Sequence, residues 1–256
     1  MPVRVRLLTR RAETEVDCGD TPPVARISGT TRVVGILGWP VEHSLSPRMQ
    51  NAAFAARGLD WAYIPLPTPP ERLADAVRGL AAAGFVGANV TAPHKIAAAE
   101  ICQSGLPSVN TLVFRNGTVE GLTTDAAILA ALAGDEVPSH AVVIGDGGAA
   151  TAFLGALPHA RAFSRRGEWP PDASGVGLVV NATSERDTVL MELGPGQTLI
   201  DLPYPETATA RAARAAGATV IGGLEVLVAQ GAASFEVWTD IEAPVDAMRT
   251  ALGLPA

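Results

Sequence analysis

Short apolar runs alternate with alanine-rich, helix-forming runs along most of this chain, and glycine or proline stands at most of the changes between them. Val33-Val34-Gly35-Ile36-Leu37-Gly38 reads as a buried strand that stops at Trp39-Pro40. Ser46 suits the cap, and Pro47 the first position, of a helix running to Arg57 with Gly58 at its end. Trp61 to Leu66 is a second strand. Pro70 to Ala83 is an amphipathic helix with Leu73, Val77 and Leu80 on one face, and Val86 to Val90 is a third strand. Strands joined through helices pair in parallel, because the crossover returns the chain to the end at which the previous strand began. This alternation commits the chain to an α/β fold.

The pattern is then broken and resumed. Val109 to Phe114 and Thr118 to Leu122 flank Arg115-Asn116-Gly117, and the Asn-Gly pair predicts a hairpin. Thr123-Thr124-Asp125 caps a helix ending near Gly134, and Pro138 to His140 joins to a new unit. There Ala141 to Ile144, Ala160 to Ser164, Val176 to Val180, Thr198 to Leu202 and Thr219 to Ile221 read as strands, with a helix over Thr207 to Ala216. Leu224 to Trp238 and Pro244 to Leu252 are closing helices. Residues 1 to about 30 show little periodicity and read as a partly disordered extension.

Composition narrows the function classes. With 256 residues, 48% of them hydrophobic and 18% charged, the chain can bury substantial cores. A net charge of -7 lacks the clustered basic surface that nucleic acid requires. Cys18 and Cys102 have no metal or disulfide spacing, so neither a structural zinc nor a disulfide scaffold is expected, and a reducing, cytoplasmic setting fits. No apolar run approaches the roughly 18 residues of a spanning helix, so no membrane partner is expected.

Several stretches carry candidate chemistry. Asn89-Val90-Thr91-Ala92-Pro93-His94-Lys95 ends a strand and hands over to a helix, with Pro93 suited to the first helical turn, so Lys95 projects beyond the strand end where ligands sit in open α/β sheets. Lys95 and Asp125 each begin a helix after a strand, and such a pair can exchange protons with a carbonyl that becomes an alcohol. Ser44 and Ser46 place two hydroxyls at a helix N-terminus, which favours an anion such as a carboxylate. Gly145-Asp146-Gly147-Gly148-Ala149 follows a strand and precedes a helix, with small residues where backbone amides approach a pyrophosphate. About 20 residues on, where NAD-binding folds commonly place an acid, stands Ser164-Arg165-Arg166; two guanidinium groups there suit the 2′-phosphate of NADP.

From Val33 to the C-terminus the chain resembles the shikimate dehydrogenase family. The resemblance is carried, in order, by His43-Ser44-Leu45-Ser46-Pro47, the Asn89 to Lys95 stretch, Val109-Asn110-Thr111, Thr124-Asp125, the Gly145 turn, Asn181-Ala182-Thr183, Asp201-Leu202-Pro203-Tyr204 and Gly223 to Gln230. It implies an NADP-dependent oxidoreductase that reduces 3-dehydroshikimate to shikimate in chorismate and aromatic amino-acid biosynthesis, with no metal, acting as a monomer or homodimer. It implies two domains: a mostly parallel α/β substrate domain (31–124 completed by the C-terminal helices in 223–256) and an inserted, reduced Rossmann-like NADP domain (125–222). By resemblance Ser44 and Ser46 hold the substrate carboxylate, and Thr91, Asn110, Tyr204 and Gln230 surround the ring hydroxyls. Lys95 and Asp125 are the catalytic pair. The cofactor falls to Gly145, Asp146, Gly147, Gly148, Ala149, Ser164, Arg165, Arg166, Thr183, Leu202 and Gly223. A quinate or aminoshikimate dehydrogenase, or a non-catalytic shikimate-binding relative, stays open as an alternative.

Departures from the family's pattern concentrate around the cofactor. Asp146 stands in the glycine turn where a small neutral residue is usual, and a carboxylate beside a pyrophosphate is unfavourable. Thr123 stands where asparagine is usual, and Ser164-Arg165-Arg166 where Asn-Arg-Thr is. Arg165 to Gly175 leaves no room for the helix and strand that the family places there. Ala160 to Ser164 is therefore expected at the sheet edge, with Trp169 buried in place of the lost helix.

Overall fold

A computed structural model describes residues 27–132 and 140–256. The extension expected before residue 27 and the helix end and join expected between residues 133 and 139 lie outside the described residues. Two five-stranded sheets organise what is described. In the first, β1 (Arg32–Gly38) pairs in parallel with both β2 (Trp61–Pro67) and β3 (Gly87–Val90). Next to β3 runs the antiparallel hairpin of β4 (Thr111–Arg115) and β5 (Thr118–Leu122). Its turn residues Asn116 and Gly117 both have positive φ, 50° and 78°, which is what a tight hairpin turn demands and why Asn-Gly stands there.

Three helices belong to this half: α1 (Ser46–Ala56), α2 (Leu73–Ala82) and α3 (Lys95–Cys102). A 3-10 turn over Pro70–Arg72 replaces the expected first turn of α2. After α4 (Ile128–Leu132), the second sheet collects β6 (Ala141–Ile144), β7 (Arg161–Phe163), β8 (Leu178–Asn181), β9 (Thr198–Asp201) and β10 (Thr219–Gly222). All are parallel, in the order β10-β9-β8-β6-β7. Here α5 (Gly148–Ala156) follows β6, and α6 (Ala208–Ala215) lies between β9 and β10, its Thr207 side chain accepting the Ala210 N–H at 3.1 Å as a cap.

The chain then returns. α7 (Gly223–Thr239) starts directly at the end of β10, and with α8 (Val245–Ala251) it packs on the first sheet against α1. Phe235, fully buried on α7, stacks on Phe54 of α1 with ring centroids 5.5 Å apart, and Trp238 donates its indole N–H to the Leu112 carbonyl at 3.0 Å. The opposite face of that sheet is covered by Leu73 and Val77 of α2 and by Ala98 and Ala99 of α3. In the second sheet Phe153, Leu157, Ile128 and Leu129 cover one face, and Ala210, Ala213, Met191 and Leu193 the other.

β7 is the edge strand, and no further helix or strand occurs between residues 164 and 177. The expected burial of Trp169 is wrong: the indole is 38% exposed. The reason is local. Only three residues form β7, with Arg161 and Ala162 exposed, so little more than Phe163 needs a cover. Ala173 and Val176 of the loop supply it, Val176 by leaving the strand that was expected to begin with it. Truncating Phe235 to alanine should cost about 3–5 kcal/mol, because it opens a cavity where α7 closes the first core. Urea denaturation of Phe235→Ala checks this, with an unchanged midpoint as the contrary outcome.

Candidate active site

Lys95, Asn110 and Asp125 lie at one edge of the first sheet, for a topological reason. β1 and β3 end there, β4 begins there because it runs antiparallel, and β5 ends there before Asp125. Lys95 opens α3 just beyond β3, after a turn at Ala92-Pro93, so Pro93 precedes the helix instead of occupying its first turn. Asp125 likewise sits in a turn three residues before α4. Lys95 Nζ reaches both carboxylate oxygens of Asp125 at 2.6 Å, with side-chain exposures of 14% and 7%. Ion pairing this far from water is much stronger than on a surface.

One asparagine fixes the carboxylate. Asn110 donates to Asp125 Oδ1 at 3.0 Å and to Thr124 Oγ1 at 2.9 Å, while its own oxygen accepts the Thr124 N–H at 2.7 Å. Behind it Asn89, buried in β3, donates to the Asn110 carbonyl, Thr111 Oγ1 and Ser234 Oγ at 3.0–3.2 Å and accepts the Tyr63 hydroxyl at 2.7 Å. Burial pushes the Tyr63 phenol far above its ordinary range, so it stays a donor. Motif reading passed over Tyr63 and Ser234 in this layer and gave Thr111 and Thr124 no role. A polar residue inside the all-buried strand β3, and a serine four residues after Gln230 on α7, were the available signals.

Lys95, Asp125, Ser44, Ser46, Thr91, Asn110, Tyr204 and Gln230 all line one cavity of about 170 Å³, joined by Asn89, Leu202 and Gly223. Ser46 does not cap α1 with its side chain; it is the first helical residue, and Ser44 Oγ accepts its N–H at 3.3 Å. The Ser46 hydroxyl is instead buried at the cavity wall, in hydrogen-bond contact with the Tyr63 phenol. Burial also raises the Tyr204 phenol above its usual value. Such a cavity, with neutral donors around one ammonium–carboxylate pair, suits a small polyhydroxylated carboxylic acid and a single proton transfer.

A second cavity, of about 470 Å³, opens at the ends of β6, β7 and β8. Gly145, Asp146, Gly147, Ser164, Arg165, Arg166 and Thr183 line it as the sequence suggests; Trp169, Ala182, Ser184, Glu185 and Leu190 join them without having been anticipated there. Gly145 has φ 125°, and a side chain on it would meet the Ala182 carbonyl at 2.9 Å. No side chain caps α5, so its first N–H groups remain available to a phosphate. Asp146 is not left bare: Arg166 Nε donates to it at 2.6 Å, and that contact holds its carboxyl below the usual range. Arg165 pairs with Glu185 at 3.1 Å. Asn181 accepts from Thr183 at 2.8 Å and donates to buried Asp201 at 2.7 Å, tying β8 to β9 beneath the cavity. Two guanidiniums, a glycine turn and an open helix start fit a dinucleotide with an extra phosphate.

The start of α5, next to Gly147 of the larger cavity, packs against Lys95 of the smaller one. A side chain on Gly148 would strike the aliphatic carbons of Lys95, and the Gly148 carbonyl accepts from Ser108 Oγ at 2.8 Å. Leu202 and Gly223, expected with the cofactor, line the smaller cavity, and Gly148 and Ala149 open α5 without lining either. Among the described residues no cluster of three or more His, Cys, Asp or Glu could hold a metal ion, and no helix is long and apolar enough to cross a membrane.

Comparison with known proteins agrees with this geometry. Family models for the shikimate dehydrogenase substrate binding domain and for the shikimate 5′-dehydrogenase C-terminal domain match residues 36–111 and 223–252. The NADP(+) shikimate dehydrogenase of Anaeromyxobacter dehalogenans (strain 2CP-C) is 38% identical over 270 residues, covering 88% of this chain and 97% of its own. The shikimate dehydrogenase of Aquifex aeolicus superposes with a TM-score of 0.80 at 28% identity, over 88% of this chain and 99% of its own. The Thermus thermophilus shikimate 5-dehydrogenase, solved with NADP(H) and shikimate, gives 0.73 at 30% identity, over 86% and 98%. With such identity across nearly the whole length of its relatives, this chain belongs to the shikimate dehydrogenase family.

Proposed function

We propose that this chain is an NADP-dependent dehydrogenase that interconverts 3-dehydroshikimate and shikimate in aromatic amino-acid biosynthesis. The observation that carries the reading is the convergence of eight separately placed residues on one small cavity, with Lys95 of the Lys95–Asp125 pair packed against the start of α5. In this reading residues 31–124 and 223–256 hold the substrate, residues 125–222 hold the cofactor, and the enzyme works in the cytoplasm as a monomer or homodimer.

Ser44 and Ser46 donate to the substrate carboxylate, and Thr91, Asn110, Tyr204 and Gln230 orient the ring through its hydroxyls. When bound in the larger cavity, NADPH supplies the hydride to the ring ketone. As negative charge grows on the ketone oxygen, the Lys95 ammonium donates to it and then transfers a proton. Asp125, held by Asn110, keeps that ammonium aimed and compensates its charge. In the oxidative direction the same nitrogen takes the hydroxyl proton back. Replacing either Lys95 or Asp125 with alanine should lower kcat by about 10² or more while leaving the Kd for NADPH nearly unchanged; full turnover in both variants would remove them from the mechanism.

Substrate choice is checked by assaying shikimate, quinate and aminoshikimate side by side, each with NADP and NAD. Turnover of quinate in preference to shikimate would reassign the substrate, and shikimate binding without either cofactor would mark a binding protein. Arg165 and Arg166 set the cofactor preference, since their partners Glu185 and Asp146 can be displaced by a 2′-phosphate that offers more charge and more acceptors. Changing both arginines to alanine should raise KM for NADP by about tenfold or more, a loss of roughly 1.4 kcal/mol, and barely move KM for NAD. Equal effects on the two cofactors would show the arginines to be mere surface charges.

A further inference from the structure

Trp169 lies in the loop between β7 and β8, and it covers no core. The loop is nevertheless built to hold it in place. Gly167 N–H donates to the Ser164 carbonyl at 2.9 Å and Ser164 N–H to the Glu168 carbonyl at 3.1 Å, which folds residues 164–168 back on themselves. Beyond the indole, Pro170 restricts its backbone, Pro171 is buried, and Arg161 donates to the Asp172 carbonyl at 2.7 Å. The Gly145 N–H donates to the Phe163 carbonyl at 2.8 Å, so the same loop is tied to the phosphate turn at its root. The result is a fixed indole, 38% exposed, on the wall of the 470 Å³ cavity, with the Arg165 guanidinium over one face at 5.6 Å from the ring centroid and Leu190 lining the same space.

We propose that Trp169 is the stacking wall for the purine ring of the dinucleotide, an assignment that rests on the cofactor reading above. The nicotinamide end has to reach Lys95 and Asp125 in the other cavity, which Trp169 does not line. The 2′-phosphate end belongs with Arg165 and Arg166, and the adenine is bonded to that same ribose. An indole next to Arg165 therefore meets the purine and no other part of the cofactor. Stacking uses the π-face alone, so it adds affinity for adenosine without choosing between NADP and NAD, a task left to the arginines. The shortened loop thus contributes a cofactor contact of its own.

The test uses the whole protein with four ligands: NADPH, adenosine 2′,5′-bisphosphate, nicotinamide mononucleotide and shikimate. Trp169→Ala should raise KM for NADPH and Kd for adenosine 2′,5′-bisphosphate by about tenfold. It should leave kcat at saturating NADPH, KM for shikimate and affinity for the mononucleotide unchanged, and Trp169→Phe should recover most of the loss. Adenosine 2′,5′-bisphosphate should also quench the fluorescence of the wild-type protein and not that of Trp169→Ala. Unchanged affinity for the bisphosphate in Trp169→Ala would overturn the assignment, and so would an equal loss for the mononucleotide, which would mean that the loop had merely collapsed. A wild-type protein that binds the bisphosphate yet never turns over shikimate would sink the dehydrogenase reading alone and leave the stacking result standing.

Discussion

The ammonium–carboxylate pair of Lys95 and Asp125 exists only because Asn110 is used at both ends of its amide. Its NH₂ holds the carboxylate, and its oxygen holds the backbone one residue upstream, at Thr124. Two charges brought out of water need such partners, or their desolvation outweighs their attraction. Asn110 is itself seated by Asn89, whose amide joins β3 to β4 and to Ser234 of the returning helix α7. The site is therefore assembled from the first sheet and from the last part of the chain at once. Moving any one strand in register would break the whole series of bonds.

Charge is handled differently in the larger cavity. There the arginines and Asp146 are exposed and Glu185 is half-buried, their pairs are close to the kind worth little in water, and each can exchange partner at small cost. Rigid pairing in the small cavity and exchangeable pairing in the large one suit the two tasks, since one must hold a proton donor still and the other must admit and release a highly charged molecule. Asp146, unfavourable for a phosphate when considered by itself, also positions Arg166 at the mouth of the glycine turn.

Much of this was legible in the sequence because the local signals agree with one another. The strand–helix alternation, the Asn116-Gly117 turn and the glycine after β6 each restrict the backbone within a few residues, and the structure follows them. What the sequence hid depends on contacts far apart along the chain. The bond from Asn89 to Ser234 spans 145 residues, and no local pattern announces it. Trp169 departs from expectation for a related reason: its size argues for burial, but the volume available beneath β7 is already filled by alanine and valine. The helix starts at Ser46 and Lys95 differ from the expected ones by a residue or two, as helix ends do when tertiary contacts and not caps determine them.

The short strand β7 has a bearing on solubility. An edge strand carries unpaired N–H and C=O groups, and a long flat edge invites a second molecule to add its own strand. Here the edge offers only three residues, begins with a charged Arg161 and runs at once into a folded loop with two consecutive prolines. An incoming strand would find too few free N–H and C=O groups to pair with. The sheet therefore ends at β7 without becoming adhesive, because the loop that follows caps the edge.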